Sequence, residues 1–166
     1  MENHSFTRSV FLLLVLIISG TFCACTSERN PCLEPKVAKL NVSCYQYKDS
    51  KYVDTALPNA NFVSLDIDSA HFWYWGANNS SKFALVLSPI RDSARWILQA
   101  DSSYSPIDTL TFIYERRLKF ISTACGYSYD FVLKQLLATR HNLDSVNISD
   151  NSVTTKAGIE NVKIYF

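Results

Sequence analysis

Thr109–Glu115 reads TLTFIYE, and the fold class turns on how that heptapeptide is taken. Leu110, Phe112 and Tyr114 alternate with Thr111 and Ile113. A period of two puts the three large side chains on one face of a strand, whereas a helix would scatter them around its axis. The aromatic and β-branched content suits a pleated, half-buried surface. Upstream, SARWILQA brings Ala94, Trp96 and Leu98 together, KFALVLS turns Phe83, Leu85 and Leu87 inward, and FVSLDID lines up Val63, Leu65 and Ile67. HFWYW at His71 to Trp75 is another candidate strand, followed by GANNSS as a turn. Val37 to Tyr47 is a further one, with Leu40, Val42 and Cys44 on its core face. Downstream, LKFISTAC follows what reads as a tight turn at Glu115-Arg116-Arg117, and NVKIYF closes the chain with Val162, Ile164 and Phe166 facing one way. Short alternating runs divided by polar turns predict one all-β domain, an antiparallel immunoglobulin-like β-sandwich.

One segment has two readings. In DFVLKQLLATRHNL, starting at Asp130, the residues Leu133, Leu136, Leu137 and Arg140 fall on one helical face, and composition favours a helix over residues 130–143. The same residues also read as two short strands, with SVNIS continuing the second.

Composition sets the class. The chain has 166 residues, 48% hydrophobic and 19% charged, which is enough apolar material for one packed core and too much for a disordered chain. The formal charge is +1, and no basic face is clustered enough to hold nucleic acid. Arg116-Arg117 with Lys119 is the densest basic spot and reads as a solvated turn.

The N-terminus has a different character. Arg8 precedes VFLLLVLIISGTF, from Val10 to Phe22. That run is shorter than the roughly 20 residues a membrane span needs, and it ends in small residues, as a secretory signal peptide does. Two cysteines follow. Cys23 comes after the bulky Phe22, whereas Cys25 comes after Ala24, and a signal ending in a small residue directly before a cysteine resembles the bacterial lipoprotein signal, in which that cysteine is lipid-modified. The expectation is a lipoprotein signal over residues 1–24, lipidation at Cys25, a tether over 25–34 and the β domain over 35–166. Ser27 and Glu28 are a weak match to the acidic surface-export signal of Bacteroidota-type lipoproteins. The expected address is the bacterial cell envelope, as an outer-membrane lipoprotein facing the periplasm or the surface.

Three further cysteines remain in an oxidising compartment: Cys32, Cys44 and Cys125. Cys44 lies on a core face, where a free thiol behaves as a small hydrophobe. Cys32 beside Pro31 and Cys125 before Gly126 are better placed for a bridge, with Cys32–Cys44 and Cys44–Cys125 as alternatives.

The combination of Cys32, Asp108-x-Leu110-Thr111-Phe112-x-Tyr114, Ile121-Ser122, Cys125-Gly126 and Asn161 through Phe166 resembles a family of uncharacterised Bacteroidota lipoproteins, a domain of unknown function. The resemblance implies an all-β lipoprotein domain with Cys32 paired to Cys125, and it favours strands over residues 130–143. It implies no activity. Asp-Ser/Thr followed by a small or aliphatic residue, as at Asp92-Ser93-Ala94 and Asp108-Thr109-Leu110, resembles the O-glycosylation motif of such bacteria.

Catalysis needs convergent titratable groups, and the pattern offers few. Beyond the signal, the histidines are His71 and His141; His71 heads an aromatic strand, and a general base there needs an orienting partner, for which Asp66 and Asp68 are merely nearby in sequence. Asp66 and Asp68 share a strand face but fall short of the six or more oxygens that calcium takes. No C-x-x-C, nucleophile elbow or phosphate-binding loop occurs, so no metal, no cofactor and no enzyme is expected. In HFWYW, Trp73 and Trp75 share one face and Phe72 and Tyr74 the other. Exposed tryptophans stack on sugar rings, so Trp73 and Trp75 are candidate binding residues. The sequence thus predicts a non-catalytic, membrane-anchored module that binds or assembles with an envelope protein, with a glycan as the alternative partner.

Overall fold

Each buried residue of TLTFIYE lies where alternation predicted it, and the strand that carries them is far longer than the heptapeptide. The computed structural model describes residues 31–66, 74–77, 79–103, 105–156 and 158–166, which contain strands and no helix. The strands are β1 (Lys39–Lys48), β2 (Lys51–Asp54), β3 (Ala60–Ser64), β4 (Tyr74–Ala77), β5 (Lys82–Val86) and β6 (Ser93–Gln99). They continue with β7 (Ile107–Ser122), β8 (Gly126–Ala138), β9 (Ser145–Ile148), β10 (Ser152–Val153) and β11 (Val162–Tyr165).

Two sheets result. One has six strands in the order β10-β8-β7-β6-β3-β4, each pair antiparallel. The other runs β2-β1-β11-β9, with β5 also on β1. Strands β5 and β2 follow each other along β1, at Lys39–Ser43 and Tyr45–Lys48. β1 and β11 are parallel, from Val42 opposite Val162 to Tyr45 opposite Tyr165. The expected wholly antiparallel arrangement fails at this pair. The first and last strands are joined by no short turn, so nothing local forces opposite directions.

The inner faces enclose one core. Leu40, Val42 and Cys44 of β1, Phe83 and Leu85 of β5, and Val162 and Ile164 of β11 meet Phe62, Ala94, Trp96, Leu98, Leu110, Phe112, Tyr114, Phe131 and Leu133 of the six-stranded sheet. Phe62 and Phe83, one from each sheet, have ring centroids 4.5 Å apart. Asn161 is buried yet fully used. Its Oδ1 accepts from Asn41 N at 3.0 Å, and its Nδ2 donates to the carbonyls of Asp150 and Ser152. It therefore seats the loop before β11 against β1.

Three sequence readings are corrected, and a fourth, which had two alternatives, is decided. Val63 and Leu65 share a face, but it is the outer one; Phe62 and Ser64 point inward, because they stand opposite Leu98 and Trp96 of β6. Gly76 and Ala77 of the expected turn GANNSS belong to β4, and the left-handed turn residue is Asn79, at φ 49°. Glu115-Arg116-Arg117 is not a turn: β7 runs on to Ser122, paired with β8 all the way. Both faces of that extension meet solvent, so charged side chains cost it little. The segment from Asp130 is strand to Ala138, not helix. Its helix-like spacing has a strand explanation. Ile113 pairs with Gln135 and Tyr114 with Leu133, leaving Lys134 as the extra residue of a β-bulge. The bulge resets the alternation, so Leu133 and Leu136 reach the same core although three apart.

Cys44 is free, with its thiol pushed up to about 12 by burial and then by the charge of Asp54. Iodoacetamide at about pH 8 is therefore expected to leave Cys44 unmodified in the native protein and to alkylate it after unfolding, as read by mass. Modification of Cys44 in the native state would contradict its burial.

Candidate functional site

Lys36–Ala38, which lead into β1, run beside β8: Val37 forms a parallel bridge with Tyr129, and Ser128 Oγ donates to the Lys36 carbonyl. Cys32 and Cys125 are joined by a disulfide, as the resemblance implied, at the turn that links β7 to β8. Gly126, at φ +73°, supplies the left-handed residue there.

Between this lead, β8 and the loop after β5 lies a groove of about 660 Å³. Ala38, Leu87 and Phe131 are buried lining residues, and Val37, Ile90 and Tyr127 are exposed ones. Pro89 lies in the loop after β5, which is held by two side chains of β7. The Tyr114 hydroxyl accepts from Ser88 N at 2.9 Å and lies 3.2 Å from the Ser88 carbonyl. Arg116 donates to the Pro89 carbonyl at 3.1 Å and to Asp92 at 2.8 Å. Burial pushes the Tyr114 hydroxyl up to about 12. Tyr114→Phe leaves the buried Ser88 N–H without its acceptor, so a loss of about 1–3 kcal/mol is expected in denaturant unfolding. An unchanged midpoint would show that the loop does not depend on that hydroxyl.

The polar edge of the groove is Asp66. Its Oδ1 meets Arg91 at 3.1 Å and Arg95 Nη2 at 2.9 Å, and its Oδ2 accepts from Arg95 N and Nε at 2.7 and 3.1 Å. The Arg95 side chain holds the carboxyl below its usual range, against burial. Two guanidinium groups thus occupy the Asp66 carboxylate.

His141 lies with Nδ1 3.3 Å from Asp108, an exposed imidazole beside a buried carboxylate. Asp108 accepts from Thr139 Oγ1 at 2.7 Å, His141 N at 2.8 Å and Asn142 N at 2.9 Å, which makes it the clamp of the loop after β8. Cys25, Asp68, His71 and Trp73 lie outside the described residues, and Trp75 is described by its backbone in β4 alone.

Sequence reasoning missed two surfaces. The groove is one, built from segments far apart in the chain. The other is a tyrosine cluster: Tyr52 packs on Tyr47 and Tyr165 at 5.2 and 4.6 Å, and Tyr165 on Tyr45 at 5.7 Å. Its signal was present in YQYKDSKY, which pairs Tyr47 with Tyr52 across a two-residue turn.

Fold and groove define a class: an all-β domain of two sheets around one core, with an apolar groove beside its N-terminal lead. The chain belongs to the family of unknown function DUF6452, which matches residues 61–166. That match starts inside β3, so β1, the strand that joins β2, β5 and β11, precedes it. No curated protein and no solved structure matches the chain.

Proposed function

We propose that this protein is a non-catalytic, lipid-anchored module of the bacterial cell envelope, an outer-membrane lipoprotein built on an immunoglobulin-like sandwich, whose groove takes an apolar segment of an envelope protein. The observation that carries the reading is the groove itself: apolar side chains at its floor and rim, with Asp66 already neutralised by Arg91 and Arg95. Such a surface favours an apolar guest with few polar contacts. The lipid anchor rests on Cys25 after a short apolar run, as read from the sequence.

Two measurements test it. Intact mass of the membrane-extracted protein should show the chain starting at Cys25 with acyl chains attached, and Cys25→Ser should release it from the membrane fraction. Wild-type mass without acyl chains would end the anchor reading. A protein recovered by crosslinking with the wild type should be lost with Ile90→Asp, a substitution on the groove's exposed rim; retention would end the groove reading. Glycan binding through Trp73 and Trp75 is the alternative, and a glycan-array signal lost with Trp75→Ala would replace the groove reading.

A further inference from the structure

The β7–β8 hairpin outruns its sheet. β6 pairs with β7 over Ile107–Ile113 only, and on the other side β10 flanks β8 at Phe131 and Val132 and the lead bridges it at Tyr129, so the hairpin continues as a ribbon that is two-stranded from Lys119 and Ser128 to its turn. Alternation carries the core face onto that ribbon. Leu118 stands opposite Tyr129 and Phe120 opposite Tyr127, in phase with Tyr114 and Phe131. Among the described residues no second sheet covers this end: Leu118 is 61% exposed, Phe120 54% and Tyr127 66%. Phe120 and Tyr127 touch edge to face at 5.3 Å. The other face is charged, with Glu115 paired to Lys134 and Lys119 facing Asp130. The ribbon is therefore amphipathic, and apolar where a soluble hairpin would be polar.

The direction of the chain says what covers it. Val37 runs parallel to Tyr129, so going back along the lead from Val37 follows β8 toward the ribbon's tip, where Cys32 is bonded to Cys125. Cys25 stands seven positions before Cys32, a reach of at most about 25 Å. β1 leaves in the opposite direction, so Tyr47 and Tyr52 lie toward the far end.

From this we infer that the exposed face of the ribbon, Leu118, Phe120 and Tyr127, lies in the headgroup region of the bilayer that carries the anchor. The inference rests on lipidation at Cys25. Three such side chains bind a membrane weakly by themselves, but a short tether makes the contact intramolecular and raises the effective concentration of lipid. Tyrosine and phenylalanine suit a boundary with one wet and one apolar side.

The test uses the full lipidated chain in vesicles of phosphatidylethanolamine and phosphatidylglycerol. Phe120→p-benzoylphenylalanine is photolysed beside Tyr52→p-benzoylphenylalanine, an exposed position toward the far end. Phospholipid adducts about tenfold more abundant at position 120 are expected. Equal adducts at both positions, or chain-to-chain adducts at position 120, would overturn the inference. Intact mass of the same sample separates the two failures. An acylated chain without a lipid adduct at position 120 sinks the ribbon contact alone, and a chain without acyl groups sinks the anchor on which it rests.

Discussion

Cys125→Ser is expected to lower the stability of the domain by about 4 kcal/mol, the largest loss foreseen for any single substitution in this chain. The bond to Cys32 closes a loop on the order of 90 residues, and the entropy withheld from the unfolded chain grows with that length. Cys32→Ser should give the same value, because either change opens the same loop. Urea unfolding of the oxidised wild type, the two variants and the reduced wild type provides the check. The three opened forms should share one midpoint well below that of the oxidised protein. Coincident midpoints for all four would show that the bridge contributes nothing to folding. The groove depends on the same bond, since Lys36–Ala38 form one of its walls and lie a few residues beyond Cys32.

Asp108→Asn should cost about 3 kcal/mol, for a different reason. Asp108 is 1% exposed, and its carboxylate faces only donors: the Thr139 hydroxyl and the backbone N–H groups of His141 and Asn142. An amide of the same shape turns one acceptor into a donor and sets it against them. Burial by itself would raise the Asp108 carboxyl. The His141 N–H, the Thr139 hydroxyl, the Asn142 N–H and the His141 ring outweigh that, and the carboxyl sits below its ordinary range. A carboxyl depressed on folding stabilises the protein fully above its unfolded value, near pH 3.9, and progressively less as pH falls toward its folded value. Wild-type stability should therefore fall in that acid window, and Asp108→Asn should flatten part of the fall while Asp66, also depressed, supplies the rest. Identical acid profiles for the two proteins would remove Asp108 from this role.

The pairing of Cys32 with Cys125 was legible through the family resemblance, whereas Asp108 was visible in the sequence only as a letter in a motif. Asp108 stood in the pattern before Leu110, and nothing near it named Thr139 or Asn142 as partners, because they lie across a strand pair in space. Strand identity was easier. Ala94, Trp96 and Leu98, and then Phe83, Leu85 and Leu87, are buried as their spacing predicted, since pleating alone separates odd from even positions. The reading failed where a second strand decides the phase. Val63 and Leu65 alternate as well as Phe62 and Ser64 do, and only pairing with β6 selects which set turns inward. In β8, one bulged residue, Lys134, made a strand spell out a helical spacing.

The sequence by itself determined that this chain is strand-rich, that an apolar run near its N-terminus leads into two cysteines, and that Cys44 belongs to a core face. These properties follow from period and composition, which are local. Tertiary structure alone decided the parallel union of β1 with β11, the groove between the lead and β8, and the bare apolar face at the ribbon's end. Those depend on where one strand stops relative to its neighbour, and a strand carries no record in its own residues of how far its partner sheet extends.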